Sequence, residues 1–395
     1  MGRGETNAKV DIIGALRDRK ILIVSIQKRK RQSEAKAAPP KSPSIPIPTE
    51  LDTTKPTAIF QPTKGRDWTV SVAIPGSIVA NAQSHEARTS LAGHVARALS
   101  VFCVDEITIF SDGNTHNTNK RHHSRTHSFG HQQDPAQDEY TGTSDPDHFL
   151  THLLSYLETP PHLRKHLFPL HANLRTAGTL PSLDLPHHLR SEEWCPYREG
   201  VTLPGADEHG TFVEAGLRIP VTIKEQIPEK TRVTLKFKDG AEKSHKDSTA
   251  ATIEAEAVNP NDPREEAGYY WGFNVRKAGT LSEVFTECPY EGGYDVTIGT
   301  SERGIDVQDL YSGTEDQQVG KFKHLLVVLG GVAGLEVAVK NDPELQKLEV
   351  VKAEDVFDRW VNVCPNQGSR TIRTEEAVWI GLMGLRRLVV GNERE

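Results

Sequence analysis

DVTIGTSERG (295–304), HLLVVLGGVAGLE (324–336) and VNVCPNQGSRTIRTEEA (361–377) decide the fold of this chain. Each opens with a short apolar run and then breaks into small and polar residues. A short apolar run bounded by glycine or proline reads as a buried strand of a parallel sheet. The loops that follow are Gly299–Gly304, Gly330–Gly334 and Pro365–Thr371. Ligands of open α/β sheets gather at the carboxyl ends of the strands. Glycine at that edge lets the backbone approach a ligand closely. One Gly-Gly after a strand is often a turn; three such loops in series are a stronger sign of a site.

Working outward, TVSVAIP (69–75) alternates and is β-rich, and VDEITIF (104–110) is a second strand. The segment between them carries Leu91, Val95 and Leu99 at helical spacing. A strand, a helix and a strand in so short a span form a βαβ unit, again with a parallel sheet. Residues 145–158 predict a helix through Phe149, Leu150, Leu153, Leu154 and Leu157, stopped by Pro160-Pro161. His187 and His188 in LDLPHHLR fit either phosphate contact or packing.

Residues 196–278 change character. TFVEAGL, PVTIKE, TRVTLKFKD, STAATIEAEAV and YYWGFNVRKA are five short β-rich runs separated by turn residues. Five short strands in such a span suit a small barrel of the OB type. The organisation expected is a basic disordered arm at 1–56, an α/β domain from 57–192 and 279–395, and a barrel inserted at 193–278. A disordered polar loop is expected at 111–144, interrupting the first half of the α/β domain.

The chain has 395 residues and a formal net charge of −7, with 47 Lys and Arg against 54 Asp and Glu. The charge is uneven: residues 1–66 hold 14 Lys and Arg against 6 Asp and Glu. A basic arm on an acidic body suits an anionic partner or a targeting signal, and Lys28-Arg29-Lys30-Arg31 is a candidate nuclear signal. An RNA site on the body has to be a local patch. Cys103, Cys195, Cys288 and Cys364 are far apart in sequence, which argues against a disulfide framework or a zinc site. The histidines of 111–144 match no ligand spacing, so no metal is expected. No run reaches the roughly 18 apolar residues of a membrane helix. The phosphate-cradling G-x-x-x-x-G-K-[ST], a G-x-G-x-x-G after the first strand and G-x-S-x-G are all missing. This argues against nucleotide hydrolysis, dinucleotide redox chemistry and a hydrolase elbow.

The three loop motifs, together with WTVSVAIPGSIVANAQS and LDLPHHLR, resemble the SPOUT methyltransferases. More narrowly, they resemble a eukaryotic and archaeal branch of RNA methyltransferases with an OB-like insertion. The resemblance covers roughly residues 57–390. It implies an α/β trefoil-knot domain, a rare exception to unknotted topology, holding bent S-adenosylmethionine between the three loops. By motif position the cofactor residues are Thr300, Arg303, Gly330, Gly331, Asn362, Gln367, Gly368, Thr371 and Thr374. It also implies a homodimer.

Methyl transfer from a sulfonium needs the acceptor held in line and its proton or charge managed. Arg88, in the first helix, matches the region where many SPOUT proteins place an arginine. A guanidinium stays charged, so it serves as an electrostatic clamp and not as a base. Its structural alternative is a surface ion pair with Glu86 or another carboxylate. For RNA, the barrel offers Lys236, Lys238, Trp271 and Arg276 as a basic, aromatic face. The function expected is S-adenosylmethionine-dependent methylation of RNA, with ribosomal RNA as the expected substrate, in the nucleus or nucleolus, with the cytoplasm as the alternative. The competing reading is a SPOUT-fold ribosome-assembly factor or mitotic scaffold without essential catalysis.

Overall fold

The computed structural model describes residues 62–113, 140–205, 210–246 and 252–393. The expectations for the arm at 1–56 and for most of the 111–144 loop lie outside these residues.

A six-stranded parallel sheet carries the fold. Its strands are β1 (Thr69–Pro75), β2 (Glu106–Phe110), β8 (Asn274–Ala278), β9 (Val296–Asp306), β10 (His324–Val328) and β11 (Arg359–Asn362). Their order is β11-β9-β10-β1-β2-β8, and every neighbouring pair is parallel. Parallel sheets are covered on both faces, and all residues of β1, β2 and β10 are buried. One face packs Val70, Val72 and Leu325 against helices α1 (His85–Val101), α2 (Pro146–Glu158), α4 (Thr374–Gly384) and α5 (Arg386–Glu393). The other packs Ala73, Phe110 and Leu326 against Leu281–Thr286 and α3 (Leu335–Asn341). The first helix is capped by Ser84, whose side chain accepts from Ala87 N. Asp145 caps α2 in the same way, with Pro146 in the first turn.

The barrel is closed and five-stranded, in the order β3-β4-β5-β7-β6. Its strands are β3 (Tyr197–Thr202), β4 (Thr211–Glu214), β5 (Val221–Ile223), β6 (Arg232–Phe237) and β7 (Ile253–Val258). Val213, Val221, Ile223, Leu235 and Ile253 fill it. Four expected strands are present. The fifth is YREGVT (197–202), not YYWGFNVRKA, whose second half is β8 at the edge of the parallel sheet. YREGVT does not read as a strand from sequence, because three of its six residues are charged or glycine. Each of these has a structural place. Gly200 lies so close to Val213 that a Cβ would come within 2.4 Å of its side chain. Arg198 is fully buried and donates to the carbonyls of Ala215, Glu193, Leu189 and Arg190. Glu199 belongs to the joint between barrel and sheet.

That joint is ionic and aromatic. Arg232 of β6 pairs with Glu158, the last residue of α2, and with Glu199 of β3, each at 2.6 Å. Trp271 donates to Glu199 at 2.7 Å, and His187 lies 2.9 Å from Glu158. His188 lies against the Glu158 carbonyl. His187 and His188 are therefore packing residues and not phosphate ligands. Buried charges persist only when paired and hydrogen-bonded, and here every carboxylate of the joint has partners.

Candidate active site

The three glycine loops meet at one edge of the sheet. The first is a loop-out within a strand: β11 pairs Trp360 with Gly299 and then Val361 with Ile305. Thr300–Gly304 are thus extruded from the ladder. Gly304 closes the loop-out against β11, where a Cβ would lie 2.5 Å from the Val361 backbone. The second loop turns at once, with Gly334 N donating to Gly331 O at 3.0 Å. Gly334 has φ +76°, and a Cβ there would strike Glu336. The third loop runs from β11 back across the sheet to α4.

Side chains lace the loops together. Asn362 donates to the Glu302 carbonyl at 2.9 Å, joining the third loop to the first. Thr374 donates to the Gly330 carbonyl at 2.9 Å, joining it to the second. Arg303 pairs with Glu336 at 3.0 Å, but both are exposed, so this pair contributes little. Gln367 bonds within its own loop, to Ser369 O at 3.0 Å. Thr300 is half-buried and Thr371 exposed. A Cβ on Gly368 would meet open space, whereas one on Gly331 would lie 3.2 Å from Ser77 Oγ and 3.4 Å from Asp112 Oδ2. All nine predicted cofactor residues lie on these loops or where they join the flanking elements. Asn362 and Thr374 already spend their side chains on loop geometry; Gly331 and Gly368 leave backbone accessible.

Arg88 is not paired with Glu86. It donates to the Ala82 carbonyl at 3.0 Å and to the Tyr140 hydroxyl at 2.9 Å. Arg175 lies over the same ring, 5.7 Å from its centroid. Two guanidiniums thus share one tyrosine.

The RNA residues divide. Lys236 and Lys238 are on the barrel surface, paired with Glu266 and Glu254. Trp271 is only 9% exposed, so it is not free to stack on a base. Arg276 is on β8 of the parallel sheet, bonded to Glu106 at 2.8 Å and to the Val284 carbonyl. Both are corrections with one cause: YYWGFNVRKA is mortar between sheet and barrel, with Tyr270 and Phe273 each 3% exposed. A cavity of about 210 Å³ lies beside this mortar, between Arg232, Arg264 and Tyr290, away from the glycine loops.

His148, His152 and His171 approach one another, with nitrogens within 4.8 Å. Nδ1 of His171 accepts from Asn173 N at 3.1 Å. In a neutral ring the proton then sits on the other nitrogen, so the ring offers an ion no free lone pair. Ligand histidines ordinarily donate from their second nitrogen to an outer acceptor; here Asn173 does the donating.

Sequence reasoning missed the groups next to Gly331. Ser77 follows β1 and donates to Asp112, which follows β2, at 2.6 Å. Asp147 lies in the first turn of α2, and a Cβ on Gly76 would meet its carboxylate at 2.1 Å. The available signal was Ser144-Asp145-Pro146-Asp147, a helix start that brings two acids to the strand ends.

The chain is similar to known proteins over most of its length. A family model described as "Putative RNA methyltransferase" matches residues 69–385. The 28S rRNA (uridine-N(3))-methyltransferase of Homo sapiens is 43% identical over 327 residues, 82% of this chain and 79% of its own length. The Drosophila melanogaster protein of the same name is 42% identical over 319 residues, 80% of this chain and 61% of its own length. The matched region spans both halves of the parallel sheet, the whole barrel and all three glycine loops, and the chain belongs to this RNA methyltransferase family.

Proposed function

We propose that the chain methylates N3 of a uridine in large-subunit ribosomal RNA, with S-adenosylmethionine as donor. The observation that carries this reading is the lacing of three glycine loops at one edge of a parallel sheet, in a chain 43% identical to an enzyme named for that reaction. Bound S-adenosylmethionine supplies an electrophilic methyl group on a sulfonium. The chain's part is to bind and orient it. The backbones of Gly330, Gly331 and Gly368 face it, with Thr300, Arg303, Gln367 and Thr371 around them. Asn362 and Thr374 hold the loops in register. The open space at Gly368 and the narrow cradle at Gly331 suit a ligand held by main-chain groups.

The path of the C-terminus supports a trefoil knot of the SPOUT kind. The segment after β11 packs against the β9–β10 connection. There Tyr311 donates to the Gly384 carbonyl at 2.6 Å, and Asn392 exchanges two bonds with the Phe322 backbone. The closed five-stranded barrel is read as an OB-type module that presents Lys236 and Lys238 to RNA. Arg88 and Arg175 are read as a clamp for the acceptor strand. A homodimer working in the nucleolus completes the reading. Isothermal titration with S-adenosylmethionine, followed by label transfer to purified ribosomal RNA, tests it. Binding and transfer are expected; binding to neither ligand would reject it.

A further inference from the structure

Three carboxylates gather where β1, β2 and β8 end, beside the glycine loop of β10, and each has a hydrogen-bond partner, Asp147 through the Ser111 hydroxyl. Asp145 caps α2 and pairs with Lys277 at 3.1 Å. Asp112 accepts from Ser77 at 2.6 Å and lines the Gly331 cradle. Asp147, half-buried, lies against Gly76 in the turn that leads from β1 to Ser77. A side chain at Gly76 would displace it. The order of contact runs from Gly331 through Asp112 and Ser77 to Gly76 and Asp147.

Resting on the uridine-N3 reading above, we propose that Asp147 accepts the N3 proton of the target uridine during methyl transfer. The need for such a group is chemical. The N3 lone pair of neutral uridine is spread over two flanking carbonyls, so the nitrogen is a poor nucleophile until its proton leaves. In the step, the N3–H bond breaks toward a carboxylate oxygen of Asp147 and its electron pair stays on N3. The N3–methyl bond forms as the methyl–sulfur bond of the sulfonium donor breaks, and that pair remains on sulfur as a neutral thioether.

The surroundings suit the role. Burial, together with Asp145 on its own helix and Asp112 from the end of β2, raises the Asp147 carboxyl to about 6. Lys277 from β8 and the Ser111 hydroxyl oppose the rise. A base poised near the working pH, and ionised at pH 7, is what proton abstraction favours. Arg88 cannot take the proton, because a guanidinium remains charged.

The test uses the full chain, S-adenosylmethionine and a large-subunit RNA transcript, with single-turnover rates measured against pH. For Asp147→Asn the proposal expects a loss of about 100-fold or more, unchanged cofactor affinity and loss of the acid limb near pH 6. A transcript carrying 5-fluorouridine, whose N3 proton is more acidic, should restore the variant at least about tenfold relative to wild type. Carbon NMR should show one carboxyl titrating near 6 in the wild type and missing in the variant. Lys277→Met, a change at a half-exposed pair, should move the acid limb to higher pH without unfolding the protein. An Asp147→Asn enzyme with wild-type rate and acid limb overturns the proposal, as does equal loss on both transcripts. A wild type that methylates an atom other than N3 rejects the underlying reading first, and this proposal with it.

Discussion

Thr374 donates its hydroxyl hydrogen to the carbonyl of Gly330 at 2.9 Å, tying the start of α4 to the turn that ends β10. The bond fixes how far the returning C-terminal segment stands from the second glycine loop. Thr374→Val removes it and leaves the carbonyl unpaired. We expect a loss of about 1 kcal/mol in stability and weaker S-adenosylmethionine binding, with Thr374→Ser close to wild type. Chemical denaturation and calorimetric titration read the two effects separately.

Gly331 and Gly368 predict different side effects of one substitution. Gly368→Arg projects into open space, so the protein should fold normally and lose cofactor binding. Gly331→Arg must push aside Ser77 and Asp112, so it should lose cofactor binding and some stability. Normal affinity in a folded Gly368→Arg protein would remove the third loop from the site.

Arg88 holds the Ala82 carbonyl and Tyr140. Arg88→Ala should leave cofactor affinity near wild type and lower methyl transfer at least about tenfold, or roughly 1.4 kcal/mol of transition-state stabilisation. Single-turnover kinetics beside cofactor titration decide it. An unchanged rate would confine Arg88 to anchoring the start of α1.

The joint at Arg232 predicts a pH-dependent stability. Arg232 and His187 hold the buried Glu158 carboxyl below its ordinary 4.5, against the opposing effect of burial. A depressed carboxyl contributes stability that is complete above its unfolded value and is lost as pH falls through the folded one. Thermal unfolding at pH 7 should therefore exceed that at pH 4, and Arg232→Leu should flatten the difference. Breaking the pair from one side should cost about 3 kcal/mol. Glu158→Gln combined with Arg232→Leu should recover part of that.

Much of the parallel sheet was legible. TVSVAIP, VDEITIF and HLLVVLGG carry their apolar residues in short runs bounded by turns, and each became a buried strand. The glycine loops were legible because glycine after a strand has few structural reasons to recur. YREGVT was not, since its arginine and glutamate are buried by partners distant in sequence, among them Ala215 and Arg232. YYWGFNVRKA misled for the converse reason. Its aromatics look like a stacking face until the fold closes over them. Asp147 is legible only as part of the helix start Ser144-Asp145-Pro146-Asp147; its closeness to Gly76 and its electrostatic coupling to Asp112 are not encoded by helical spacing.

The uridine-N3 assignment is the central claim, and nucleoside mass spectrometry tests it most directly. Large-subunit RNA incubated with the protein and S-adenosylmethionine, then digested, should yield 3-methyluridine at one position, and the Gly368→Arg protein should yield none. A digest without 3-methyluridine, or with the new methyl group on another atom, would contradict the account.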